Sequence, residues 1–205
     1  MKKYLAALSA TALIGVAPYA LASSTDLTVT GIITPAACSP SLSEGGQIEL
    51  GKIPSHTLNP TSDTLVGQNT LQLTVACDAP TLLALNAIDH MAGTSINYEA
   101  FGVGLTEADE KLGGIILRVN NPLADGQRVE PITSPDGGAS WEHWNVLTPS
   151  NLLSFAHHLD LGTPIPLKDL DTQFSVLTHI APANGLTLND DQSINGEVTI
   201  EVMYL

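Results

Sequence analysis

Two stretches near the ends of the chain alternate apolar and polar residues: Asp26-Leu-Thr-Val-Thr-Gly-Ile-Ile-Thr34, and Gly196-Glu-Val-Thr-Ile-Glu-Val-Met-Tyr-Leu205. In a β-strand, alternation of period two places every apolar side chain on one face, and that row must be buried against something. Neither stretch has an adjacent partner in sequence. Each therefore closes either its own sheet or, by strand addition, another molecule's sheet.

The amino-terminal stretch follows an export leader, expected over residues 1–22. Lys2 and Lys3 form its charged start, Leu5 to Val16 its apolar core, and Ala20-Leu21-Ala22 an A-x-A cleavage site. The core is short for a membrane span; a retained anchor helix is the competing reading. No later segment is apolar enough to cross a bilayer, so no membrane insertion is expected. Lys2 and Lys3 leave with the leader, so the formal net charge falls from −14 to −16. Five cations remain (Lys52, Lys111, Arg118, Arg128 and Lys168) against 21 carboxylates. Such a chain repels phosphate backbones and anionic lipid, which argues against nucleic acid as a partner.

The two cysteines, Cys38 and Cys77, would reach an oxidising compartment, where a pair usually forms a disulfide. The separation suits neither a C-x-x-C redox site nor a metal site. A bond here closes a loop of roughly 40 residues and contributes about 4 kcal/mol in the chain-entropy account.

No long stretch has helical periodicity. Strands are expected near 27–34, 47–53, 70–77, 81–88, 101–105, 114–119, 152–157, 173–180 and 197–204, punctuated by Gly, Pro, Asn and Asp. The clearest is Thr70–Cys77, with Leu71, Leu73, Val75 and Cys77 on one face. Asp136-Gly137-Gly138 reads as a hairpin turn. Residues 54–68, 89–113 and 120–149 read as loops or insertions, with one helical turn around Glu107–Lys111. The fold class expected is an all-β sandwich.

With these features in place, the chain resembles the subunits of Gram-negative chaperone–usher fimbriae, and most closely a group of fimbrial-subunit-like exported proteins known only as a domain of unknown function. Four features carry the resemblance: the extension with Leu27, Val29, Gly31 and Ile33 before Cys38; the run Gly45–Ile53; Leu71–Cys77 followed by Asp78-Ala-Pro; and the carboxyl end with Val198, Ile200, Val202 and a penultimate Tyr204. Gln192 stands where those subunits usually carry a glycine, and the 89–149 region makes the chain longer than a shaft subunit.

The resemblance implies an immunoglobulin-like, pilin-type sandwich over 35–205 that lacks its last strand, preceded by a donor-strand extension at 23–34. Leu27, Val29, Gly31 and Ile33 would fill a neighbouring subunit's groove. Val198, Ile200, Val202, Tyr204 and Leu205 would form the groove strand, held first by a periplasmic chaperone. The partners implied are that chaperone, an outer-membrane usher and neighbouring fimbrial subunits. The route implied is export to the periplasm and then to a cell-surface fimbrium. The alternative is a self-complete sandwich whose 89–149 insertion, through Trp141 and Trp144, contacts a glycan or host protein.

Residues suited to chemistry are few. Glu142, His143, His157, His158 and Asp160 are the best metal candidates, but adjacent His residues on a strand face opposite ways. Asp191-x-Ser193-x-Asn195-Gly196 resembles half a calcium loop, yet its twelfth position is Val202. No nucleophile motif, zinc-protease motif or phosphate-binding loop is present. The expectation is a non-enzyme without metal or cofactor, with an exported hydrolase as the third reading.

Overall fold

The structure is a computed structural model and describes residues 37–205. The expected leader and the expected donor positions Leu27, Val29, Gly31 and Ile33 lie outside the described residues.

Eleven strands follow in order: β1 (Cys38–Leu42), β2 (Thr64–Thr81), β3 (Leu83–Asp89), β4 (Gly113–Ala124), β5 (Gln127–Arg128), β6 (Glu130–Ser134), β7 (Glu142–His143), β8 (Val146–Leu147), β9 (Leu152–Ala156), β10 (Leu167–Ile180) and β11 (Val198–Tyr204). They form two sheets. The first has the order β1-β2-β10-β4-β5, with β8 also pairing β4; the second has the order β11-β3-β9-β6-β7. Every strand pairing is antiparallel. The chain forms the expected all-β sandwich, and the Cys38–Cys77 disulfide joins β1 to β2 with an S–S distance of 2.01 Å.

Side-chain alternation explains the long strands. On β2, Leu71, Leu73, Val75 and Cys77 point inward and are buried. On β10, Leu170, Thr172, Phe174, Val176, Thr178 and Ile180 form the facing row, also buried. The buried Thr172 hydroxyl donates to the Asn120 carbonyl at 3.0 Å, so its polar atom is not stranded. All three phenylalanines, Phe101, Phe155 and Phe174, are fully buried, and each contributes about 1.5–3 kcal/mol by leaving water. Central β9 departs from alternation. It is buried on both faces, and its Ser154 hydroxyl donates to the Leu83 carbonyl at 2.6 Å.

Five expectations are corrected. Residues 47–53 form no strand, because Glu44, Gly45, Gly46 and Gly51 adopt positive φ and break the extended run. Phe101–Leu105 joins only through isolated bridges, Phe101 to Ile115 and Leu105 to Lys111, with Gly104 at φ +101 between them. Glu107–Lys111 is not a helical turn; Glu107 and Ala108 lie in the tight turn that closes the Leu105–Lys111 bridge. The 54–68 loop ends early, since β2 begins at Thr64 and runs beside β10 to Ile180. The 120–149 insertion carries the end of β4 and all of β5 to β8, including two-residue strands too short to show a period. Asp136-Gly137-Gly138 does sit in a hairpin, between β6 and β7, within a loop over 135–141.

The bond between β1 and β2 fixes the strand that, among the described residues, flanks β2 on that side. Reduction of Cys38–Cys77 is expected to lower unfolding stability by about 4 kcal/mol, read as a drop in urea midpoint with dithiothreitol.

Candidate functional groove

β1 and β11 are the edge strands of their respective sheets and come together at one pole, where the Cys38 N–H donates to the Tyr204 hydroxyl at 3.0 Å. Away from that pole an open groove of about 1670 Å³ lies between them. That exceeds the roughly 300–1,000 Å³ of small-molecule sites and suits a length of extended chain.

The floor comes from the first sheet: Leu71 of β2, Phe174, Val176, Thr178 and Ile180 of β10, and Ile115 and Leu117 of β4. One wall is the irregular segment 45–55. Its Ile48, Leu50 and Ile53 are half-buried, and Leu50 lies against Gly67. The other wall is the irregular segment 186–197 continuing into β11, with Leu186, Leu188, Ile194, Val198 and Ile200 half-buried. Val202 continues the β11 row, also half-buried. The contrast with β10 is direct. Both strands alternate, but only the β10 row is buried completely.

Three contacts tether the 186–197 wall to the 89–113 insertion. Asn195 N–H donates to the Val103 carbonyl, and His90 N–H to the Glu197 carbonyl, each at 3.1 Å. Glu110 accepts the Thr187 N–H at 2.6 Å and its hydroxyl at 2.9 Å, and also the Thr106 hydroxyl. The Thr187 amide bond is the main cause that holds the Glu110 carboxyl below its usual range, against a smaller opposing effect of burial. Gly196 precedes β11 so close to the tip of Ile115 and to Val103 that a side chain there requires Ile115 to move.

The remaining candidates are dispersed. Tyr204 is 44% exposed at the pole, so it does not complete the buried inward row. Leu205 donates its N–H to the Leu82 carbonyl at 3.1 Å. Trp141 is half-buried and donates to the Gly138 carbonyl at 3.2 Å, whereas Trp144 is 47% exposed; neither lines the groove. His157 and His158 lie beyond the end of β9 rather than on it. Both are exposed, with ring centroids 4.3 Å apart. Glu142 and His143 form β7, with His143 Nε2 3.6 Å from Glu130. Among the described residues no group of three or more His, Cys, Asp or Glu is placed to hold a metal ion. Asp191, Ser193 and Asn195 belong to the groove wall.

The sequence reading missed that wall. Leu186, Leu188 and Ile194 carry fragments of alternation, but Asn189-Asp190-Asp191 interrupts it. It also missed that the 89–113 insertion braces the groove and supplies Met91 and Leu112 to its lining.

Two titrations follow. Glu110, lowered in the folded state, adds stability above its ordinary value of 4.5 that is lost as pH falls below it. Glu110→Gln is expected to speed amide exchange at Thr187 at neutral pH, with little change in the core. Asp136 accepts bonds from the Ser140 hydroxyl at 2.6 Å, the Ser134 hydroxyl at 2.7 Å and the Ser140 N–H at 2.9 Å, which lower its carboxyl to about 2. Ser140→Ala is expected to move that midpoint toward 3.8, measured by NMR titration.

Residues 27–104 match a family described as "Protein of unknown function (DUF1120)". The chain is also similar to Protein GltF of Escherichia coli (strain K12), 27% identical over an alignment that covers 88% of each chain. Neither description names an activity or a partner.

Proposed function

We propose that the protein is a structural or minor subunit of a chaperone–usher-type surface fimbria, assembled by donor-strand exchange. The observation that carries this reading is the half-buried inward row of β11, set at a sheet edge of the described residues beside a groove with a largely apolar floor. An unpaired strand edge offers backbone N–H and C=O groups, and the groove offers alternate apolar contacts, which together are what an added strand requires. In this reading a periplasmic chaperone holds the groove first, and the amino-terminal extension of a neighbouring subunit replaces it. Length supports it as well. Leu27 to Ile33 spans about 20 Å when extended, as does the floor from Phe174 to Ile180. The donor side chains Leu27, Val29 and Ile33 alternate as a strand in such a groove needs, and Gly31 fits a narrow place. Head-to-tail addition of this kind builds an open fibre rather than a closed ring.

The competing reading, a self-contained binding module, rests on the exposed Trp144 alone, because the Trp141 indole N–H is already taken by its own loop.

The test is thermal unfolding of a chain spanning 35–205, with and without a synthetic peptide of residues 24–34. Bound peptide is expected to raise the melting temperature by at least about 10 °C. A chain that is already stable and ignores the peptide contradicts the proposal.

A further inference from the structure

The rim of the groove is strongly biased in charge. Glu49 stands on one wall and Asp190, Asp191 and Glu197 on the other, against Lys52 as the single cation in the lining. All four carboxylates are on exposed residues. Among the described residues none of the four side chains accepts a hydrogen bond or pairs with a Lys or Arg. They therefore face solvent on both sides of a slot with a largely apolar floor, where any strand lying in the slot passes between them. A second copy of this chain is a poor match. Its segment 24–34 carries Asp26 and no Lys or Arg, and the body behind it has a formal charge of −15.

From this we infer that the groove selects a heterotypic occupant: an extended, alternately apolar strand flanked by Lys or Arg, supplied by a polypeptide other than a second copy. The inference rests on the fibre reading above and specifies its partner. Rim charges act chiefly on encounter and on rejection of like-charged competitors, while the apolar slot supplies the bulk of the contact. The chain then sits among unlike neighbours in the fibre rather than repeating as a homopolymer.

Fluorescence anisotropy on the full exported chain tests this with three labelled peptides: residues 24–34 as they stand, the core of residues 27–34 with two lysines at each end, and a scrambled lysine-flanked control. Affinities are compared as ratios, so an occupant already in the groove weakens the two specific peptides equally. At about 20 mM salt the lysine-flanked peptide is expected to bind at least about tenfold tighter than residues 24–34. The ratio should shrink to below about threefold at about 500 mM salt. The same loss is expected at low salt in the quadruple variant Glu49→Gln, Asp190→Asn, Asp191→Asn, Glu197→Gln. Equal or tighter binding of residues 24–34 at low salt overturns the inference and leaves the fibre reading intact, with a second copy as the occupant. Binding of neither peptide above the scrambled control overturns both.

Discussion

A sandwich buries an inward-facing row only where the opposite sheet, or something in its place, lies over it. The rest of this molecule is arranged around one place where that condition is only partly met. The β10 row is closed over completely, by the second sheet near the Tyr204 pole and by two irregular walls beyond it. The β11 row is not; among the described residues no strand pairs with its outer side. Three side chains that alternate as faithfully as those of β10 remain half-buried. Half-exposed apolar rows on a sheet edge are a liability that natural proteins usually blunt with charge, proline or a covering loop. Here two irregular walls cover the floor, the β11 row beside them stays half-buried, and charge is placed along the rim.

The walls are held differently from the floor. The floor belongs to β2, β10 and β4, joined by continuous ladders. The 186–197 wall depends on the two backbone bonds to Val103 and His90 and on the Glu110 carboxylate. The 89–113 insertion, which lengthens the chain beyond a simple sandwich, thus has a structural task as the brace of one wall. Segments with few backbone bonds open locally at low cost. The groove therefore has a floor of long ladders between two sides with few backbone bonds.

What could be read from the sequence follows from how strongly each element repeats. Thr70–Cys77 alternates without interruption and its inward row lies where the period puts it; on β11 Val198, Ile200 and Val202 follow the period, while Tyr204 at its end is exposed. The disulfide followed from two cysteines read together with the expected export leader. The last strand was legible, but the groove beside it was not. Its walls are segments in which glycine and Asn-Asp-Asp break the pattern while Ile48, Leu50, Leu186 and Ile194 still point inward. Phe101 and Leu105 looked like a strand because they are apolar at even spacing, yet Gly104 turns the backbone between them. β5, β7 and β8 are two residues long, and no period can be read in two residues. The histidine and Asp191–Gly196 candidates had the right residue types but not the convergence that a site requires.

The most direct test of the central claim is amide hydrogen exchange with the 24–34 peptide present and absent, resolved along the chain. The account predicts that added peptide slows exchange at Val198–Tyr204 and over residues 45–54 and 186–197, the two sides of the groove. Protection confined to the Trp141–Trp144 region, or no protection anywhere, would contradict it.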